Sequence, residues 1–361
     1  MAQAFPINTW RVLDTGIRPA AENIALNRAL LEARQQNIAP NTLRFLGFQP
    51  CALLGFHQSA EQELNLQQCQ QLGVTVQRRI TGGGAIYMDE GQLGWELYLD
   101  KRTLGTADMT QIAQRICTAA AMGLQQLGVA AQFRPRNDIE VQGKKISGTG
   151  GAFDGDALMY QGTLLMQLDV DKMLHVLNIP AEKLSAHAIQ SARERMTSLQ
   201  AELGALRPNR ETVISVLARA LTAEFGVTMQ TGVLSDQEHI LYQHALADID
   251  HPDWVDMICK PAQERPVHSA SQRFAGGSLR VNIALNTVQQ RLKQVWFSGD
   301  VFINPRRTLI DLECALRDVL VDRMDEVVLS FFADKNVDML ALTPRNIIEL
   351  LHAALQAQAA V

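Results

Sequence analysis

The sequence predicts an α+β (mixed α/β) chain built from two unequal domains, and three observations lead there. Its 361 residues exceed what one compact core normally holds. Period-two strand patterns and 3.6-period helix patterns follow one another through the first part of the chain, and neither takes over. Between about 231 and 277 the periodicity fades among Pro252, Pro261, Pro266 and Gly276-Gly277, and a shorter α+β pattern begins beyond it. Domains of 1–264 and 265–361 follow.

Each element has a local reason. Glu22–Gln35 carries Leu26, Ala29, Leu30 and Ala33 at helical spacing. Leu43–Phe48 and Cys51–Gly55 read as strands parted by Gln49-Pro50. Leu64–Leu72 reads as a short helix, and Val74–Ile80 and Leu93–Leu99 as strands flanking a glycine run. Thr106 is the expected N-cap of a helix to about Leu127, with Ile112, Ile116, Ala119, Ala120 and Leu124 inward. Ile139–Val141 and Lys145–Ser147 flank Gln142-Gly143-Lys144, a hairpin pattern. Gly162 is expected to open a strand to Leu168, and Gly226 to stop a helix over Arg210–Phe225. In the second domain, strands Leu279–Leu285 and Leu292–Phe297 join through Asn286-Thr287-Val288. Helices are expected over Thr308–Val321 and from Thr343-Pro344, where threonine caps and proline takes the first helical position.

Composition narrows the function. With 47% hydrophobic and 20% charged residues and a net charge of −5, the chain is neither disordered nor suited to neutralising phosphate backbones. Aromatic residues make up 6%, too few to suggest a stacking platform for single strands. Met1–Pro6 shows no basic or apolar leader, and no 18-residue apolar run occurs, so a cytoplasmic protein without membrane attachment is expected. Cys51, Cys69, Cys117, Cys259 and Cys314 are scattered without a CxxC pair. His239 and His244 lack the neighbours a metal site needs.

Three segments can carry chemistry. In Arg78-Arg79-Ile80-Thr81-Gly82-Gly83-Gly84-Ala85-Ile86-Tyr87, glycines after a strand leave N–H groups open to an anion, and arginines add forked donors. A tight turn with surface arginines would use the same residues, and the spacing matches neither GxGxxG nor a Walker loop. In Asn137-Asp138 through Gly143-Lys144-Lys145-Ile146-Ser147-Gly148, hard oxygens suit Mg²⁺ beside a nucleotide, and lysines suit a carboxylate or phosphate. A charged surface hairpin is the plainer account. Gln161-Gly162-Thr163-Leu164-Leu165 says little alone.

Together these segments resemble the lipoate–protein ligase family of the biotin/lipoyl ligase superfamily. Trp10–Gly16, Glu22–Leu26, Gly55-Phe-His-Gln58 and Ile189–Arg195 extend the resemblance over most of the chain. It implies a class II synthetase-like catalytic domain with a small α+β C-terminal accessory domain. It also implies activation of lipoate by ATP to lipoyl-AMP and transfer to a lysine of a lipoyl-domain acceptor protein. Lys145 would be catalytic, bonded to both carboxylate and α-phosphate. Arg79, Gly82, Gly83, Gly84, Ala85, Ile86, Tyr87, Asn137, Ser147, Gly148, Gly162 and Thr163 would contact lipoate or ATP. Asp138 would meet Mg²⁺, entering with ATP as a substrate complex, and no tightly bound prosthetic group is expected.

The chain departs from the family pattern at Met88 and near Tyr160-Gln161, where histidine is usual, and at Asn27, where an acid is common. Two rival readings stay open. An octanoyl or lipoyl transferase of the same fold would need a cysteine nucleophile before the lysine strand. None lies between Cys117 and Cys259, and Cys117 sits at a core position of a helix. A non-catalytic homologue that holds the adenylate or the acceptor is the other.

Overall fold

Strands of the computed structural model are numbered β1 (Thr9–Arg18), β2 (Thr42–Phe48), β3 (Cys51–Leu54), β4 (Thr75–Arg78), β5 (Ile86–Met88), β6 (Gln92–Asp100), β7 (Ala131–Arg134), β8 (Asp138–Val141), β9 (Lys144–Asp154), β10 (Ala157–Leu165) and β11 (Thr228–Thr231). There follow β12 (Val267–Phe274), β13 (Gly277–Asn286), β14 (Arg291–Gly299), β15 (Ile303–Asn304), β16 (Val319–Leu320) and β17 (Asp338–Met339). The structure describes residues 5–6, 8–135, 137–178, 194–258, 267–333, 335 and 337–357. Cys259, Pro261, Pro266 and most of the Ile189–Arg195 motif lie outside them.

The chain divides into two compact units. The first comprises Met1–Leu53, Asn65–Gln77 and Ile86–Trp254; the second comprises Leu54–Leu64, Arg78–Ala85 and Val255–Val361. In the first unit an eight-stranded sheet runs β11-β1-β2-β6-β10-β9-β8-β7. Pairing is parallel from β11 through β2 and antiparallel from β2 onward. Residues directly opposite one another share a face. One face therefore carries Leu93, Trp95 and Leu97 of β6 with Leu158, Tyr160 and Leu164 of β10. Against it pack Ile112, Ile116, Cys117 and Leu124 of the helix Met109–Gln126, and Val213, Leu217 and Leu221 of Arg210–Phe225.

The opposite face holds a buried polar network. Arg44 pairs with Glu96 at 3.0 Å, and the amide of Asn27, on the helix Ala20–Gln35, donates to Glu96 at 2.7 Å and to Tyr98 at 2.9 Å. This gives the Asn27 departure a physical reason: an acid there would face Glu96 without a donor to offer.

Several boundaries differ from the expectation. Asp108, not Thr106, caps the long helix, its carboxylate accepting the N–H of Thr110 at 2.8 Å, while Thr106 accepts from Asp108. A carboxylate also answers the positive end of the helix dipole. The helix expected over Leu64–Leu72 is found as Leu66–Gln71, because Asn65 caps it through the N–H of Gln68, and a further short helix, Ala60–Glu63, precedes it. Gly162 lies inside β10 rather than opening it, paired with Trp95 of β6, and the glycine is there for packing: a Cβ would come within 2.2 Å of the Trp95 ring. Gly226 does end its helix, at φ 62.

In the second unit, β12-β13-β14-β16 form an antiparallel sheet. Leu279, Val281, Ile283, Val295 and Phe297 make a core with the helices Thr308–Ala315, Met324–Ala333 and Pro344–Gln356. The Asn286 side chain accepts the N–H of Val288 and Gln289 and so starts the β13–β14 turn. The helix expected to reach Val321 stops at Ala315. Asp318 takes φ 61, and Val319–Leu320 pair with Arg291 and Leu292 of β14. Thr343 and Asn346 form a capping box with Pro344 at the helix start, as expected. No helix among the described residues is long and apolar enough to cross a membrane.

Candidate active site

The β8–β9 hairpin turns at Gln142 and Gly143, at φ 50 and φ 81, the left-handed pair that a two-residue turn requires. A register shift between Ile139 and Glu140 follows. Lys145 stands opposite Glu140, and its Nζ lies 2.7 Å from Oδ1 of Asp138. Both side chains are partly exposed, at 41% and 25%. Lys145 is held from behind, its carbonyl accepting the N–H of Thr197 at 2.9 Å.

Gly148 makes room for this pair. It stands opposite Asp138 on one side and Thr163 on the other, and a Cβ there would lie 2.6 Å from Lys145 Nζ. The structure thus brings Lys145, Asp138, Gly148 and Thr163 together on one face. Ser147 and Gly162 belong to the core face instead: Ser147 is buried opposite Ile139 and Leu164, with no hydrogen bond to its hydroxyl. Asn137 points its amide at the carbonyl of Thr149, at 2.7 Å.

Asp138 is a poor resident metal ligand. Its carboxylate already faces an ammonium, and among the described residues no three His, Cys, Asp or Glu side chains converge. A bound Mg²⁺ that is not carried in by phosphate needs more oxygen donors than this.

The glycine segment falls partly in each unit. Arg78 is fully buried, and Nη1 donates to the carbonyls of Gly55, Phe56 and Gln58, so it organises the loop before α-helical Ala60 rather than facing solvent. Arg79 donates to the carbonyls of Gly82 and Gly84, at 3.1 and 2.9 Å, and so pins the loop's shape. Burial lowers its guanidinium to about 10, which leaves it a cation at neutral pH.

The first two glycines have a packing reason. A Cβ on Gly82 would lie 2.3 Å from the Val301 carbonyl, and one on Gly83 2.7 Å from the Phe302 ring. The Gly83 N–H already donates to Val301, at 3.4 Å. Gly84 is the exposed member, with Ala85 half-buried beside it. In the other unit Ile86 and Tyr87 lie on β5 opposite Leu53 and Ala52. Tyr87 is buried, and burial together with the charge of Asp89 raises its hydroxyl above the ordinary phenol range. Met88, where the family pattern has histidine, packs among Ala20, Leu46, Phe48 and Cys51.

Sequence reasoning missed a buried cluster behind the hairpin. The Thr149 hydroxyl lies 2.7 Å from the Tyr160 hydroxyl and donates to the carbonyl of Asn137 at 2.9 Å; Cys117 Sγ lies 3.2 Å from Tyr160. Burial raises the Cys117 thiol, so it is no ready thiolate. Only the departure at Tyr160 hinted at this cluster.

A family model described as the lipoyl protein ligase A/B catalytic domain matches residues 19–225. The chain belongs to that family. Among curated relatives, an octanoyltransferase LipM of Moorella thermoacetica is 24% identical over 70% of this chain and 99% of its own length. The lipoate–protein ligase LplJ of Bacillus subtilis is 30% identical over 48% of this chain and 52% of its own length. Among solved structures, P. falciparum LipL1 in complex with lipoate has a TM-score of 0.73 at 19% identity, covering 96% of this chain and 100% of that one. An archaeal bipartite lipoate protein ligase from Thermoplasma acidophilum, described with its E2 lipoyl domain, has a TM-score of 0.61 at 24% identity, covering 70% and 98%. Both structural likenesses establish the ligase-type α+β fold, and the first extends it through the C-terminal domain. Family membership makes the chain an enzyme of the lipoyl/biotin ligase type, and its members include ligases and transferases alike.

Proposed function

We propose that this chain is an ATP-dependent lipoate–protein ligase. The observation that carries the reading is the Lys145–Asp138 pair beside the side-chain-free Gly148, with the cysteine behind that hairpin buried as a thiol. In the first step a lipoate carboxylate oxygen attacks the α-phosphorus of ATP, the bond to pyrophosphate breaks, and lipoyl-AMP forms. Charge gathers on the carboxylate and the α-phosphate together, and the Lys145 ammonium offsets both. In the second step the amine of an acceptor lysine attacks the acyl carbonyl, the bond to AMP breaks, and the amide forms as the nitrogen gives up a proton. Arg79 and Gly84–Tyr87 are kept as contacts to lipoate or its adenylate, and Mg²⁺ arrives with ATP. Residues 1–264 are read as the catalytic part and 265–361 as the accessory part. The acceptor is read as a lipoyl domain, the partner described for the Thermoplasma ligase.

The nearly full-length match to LipM supports a second reading, acyl transfer without ATP. Purified protein with lipoate, ATP·Mg²⁺ and a lipoyl domain, followed by intact mass, separates them. The ligase adds one lipoyl mass only with ATP, and Lys145→Ala lowers the rate about a hundredfold or more. Transfer from an octanoyl carrier protein without ATP would overturn the ligase reading. No modification in either assay would favour a binding module.

A further inference from the structure

We infer that Tyr160, acting through Thr149, is a positioning residue for the Asp138–Lys145 pair; the inference rests on the ligase reading and deepens it. The hydrogen bonds run in one direction. Thr149 gives its only hydroxyl proton to the carbonyl of Asn137, at 2.9 Å. The 2.7 Å contact between the Thr149 and Tyr160 hydroxyls therefore has Tyr160 as donor, because Thr149 has no second proton. The Cys117 thiol lies 3.2 Å from the Tyr160 oxygen and 3.3 Å from that of Thr149, and with both hydroxyl protons committed it can only donate to this pair. Asn137 is thus gripped twice more by Thr149: its carbonyl also accepts the Thr149 N–H at 2.8 Å, and its amide donates to the Thr149 carbonyl at 2.7 Å.

This grip falls where β8 begins, one residue before Asp138. The backbone there has no further β8 ladder to align it, and Asp138 aims at Lys145 on the other face of the sheet. Tyr160 is buried against Trp95, with ring centroids 6.3 Å apart, so its hydroxyl has a fixed address. A phenol held un-ionised by burial keeps the chain of donors pointing one way. The histidine-to-tyrosine departure here gains a role that is not proton transfer to substrate.

The test reads Lys145 directly and needs no substrate, so it stands apart from the ligase assay. Competitive acetylation of the full-length protein, followed by peptide mass spectrometry, gives the reactivity of Lys145 against Lys144, which is exposed on the same strand. Loosening an ion pair of this exposure should speed Lys145 labelling about two- to fivefold. That result is expected for Asp138→Asn, Tyr160→Phe and Thr149→Val, with Thr149→Ser restored towards the parent and Lys144 unchanged. Parent rates in Tyr160→Phe and Thr149→Val, or in Asp138→Asn, would overturn the inference, as would equal acceleration at Lys144. Should Tyr160→Phe fail to fold, Thr149→Val against Thr149→Ser decides alone. In pyrophosphate exchange Tyr160→Phe and Thr149→Val should lower kcat and leave the KM for lipoate in place.

Discussion

Substituting Gly148 by alanine separates the chemistry of the hairpin from its stability. An added Cβ would sit 2.6 Å from Nζ and 2.7 Å from Cε of Lys145, where about 3.5 Å or more is needed, so the ammonium must retreat by about 1 Å. The backbone does not resist, since Gly148 is not among the residues with positive φ. The ground-state cost is small. The pair is partly exposed, which limits its contribution to under about 1 kcal/mol, and the loss of chain freedom in the unfolded state returns about 0.4–1 kcal/mol. The melting temperature should therefore stay within about 3 °C of the parent. The reaction is less forgiving, because misplacing a charge-stabilising group by about 1 Å costs about a hundredfold in rate. ATP–pyrophosphate exchange with lipoate, run beside a thermal melt, checks both. Parent exchange rates in a folded Gly148→Ala protein would refute the assignment of Lys145. A fall in rate that merely tracks a fall in melting temperature would do the same.

Three further outcomes follow from the packing. Gly162→Ala should destabilise the first unit by about 1–3 kcal/mol, because its Cβ meets the Trp95 ring at 2.2 Å, and a melt should show it. Glu313 is raised by burial to about 7, against an accepting bond from Phe297 N–H that opposes the rise. The folded state then binds more protons than the unfolded between the ordinary carboxyl value and about 7, so stability falls as pH rises through that window and is level above it. Glu313→Gln should flatten this slope and gain no more than about 3 kcal/mol at pH 8, read by denaturant titration. Iodoacetamide at pH 8 should modify exposed Cys314 and leave buried Cys117 untouched in the native protein, as peptide mapping would show.

Features set by neighbours in the chain were legible in the sequence. Thr343-Pro344, Gly226 and the Gln142-Gly143 turn are local devices, and each sits where the residues place it. The cap of the long helix is expected two residues early, at Thr106, when the hydroxyl is weighed without the carboxylate of Asp108, whose charge answers the helix dipole. The end of the helix at Ala315 was hidden, because what ends it is pairing of Val319 and Leu320 with a strand nearly thirty positions earlier. The same holds for the site. Lys145, Asp138 and Gly148 lie within one hairpin and could be read as a group. Tyr160, Thr149 and Cys117 meet across separations of 11 to 43 residues, which no spacing rule reports. Arg78 and Arg79 look alike in a string of letters, and only their different carbonyl partners tell them apart.

The floor beneath Gly82 and Gly83 bears on how this gene can be cut. Val301 and Phe302 supply that floor, Gly299 donates to the carbonyl of His57, and Arg280 and Ser298 hold the side chain of Gln62. A polypeptide ended at residue 264 would keep every residue of the signature segment and lose all of these supports. Its bare glycines would face water with their conformational freedom restored. For truncated versions of the protein and for comparisons with shorter relatives, the C-terminal hundred residues are therefore part of the glycine loop's own scaffold, not a detachable appendage.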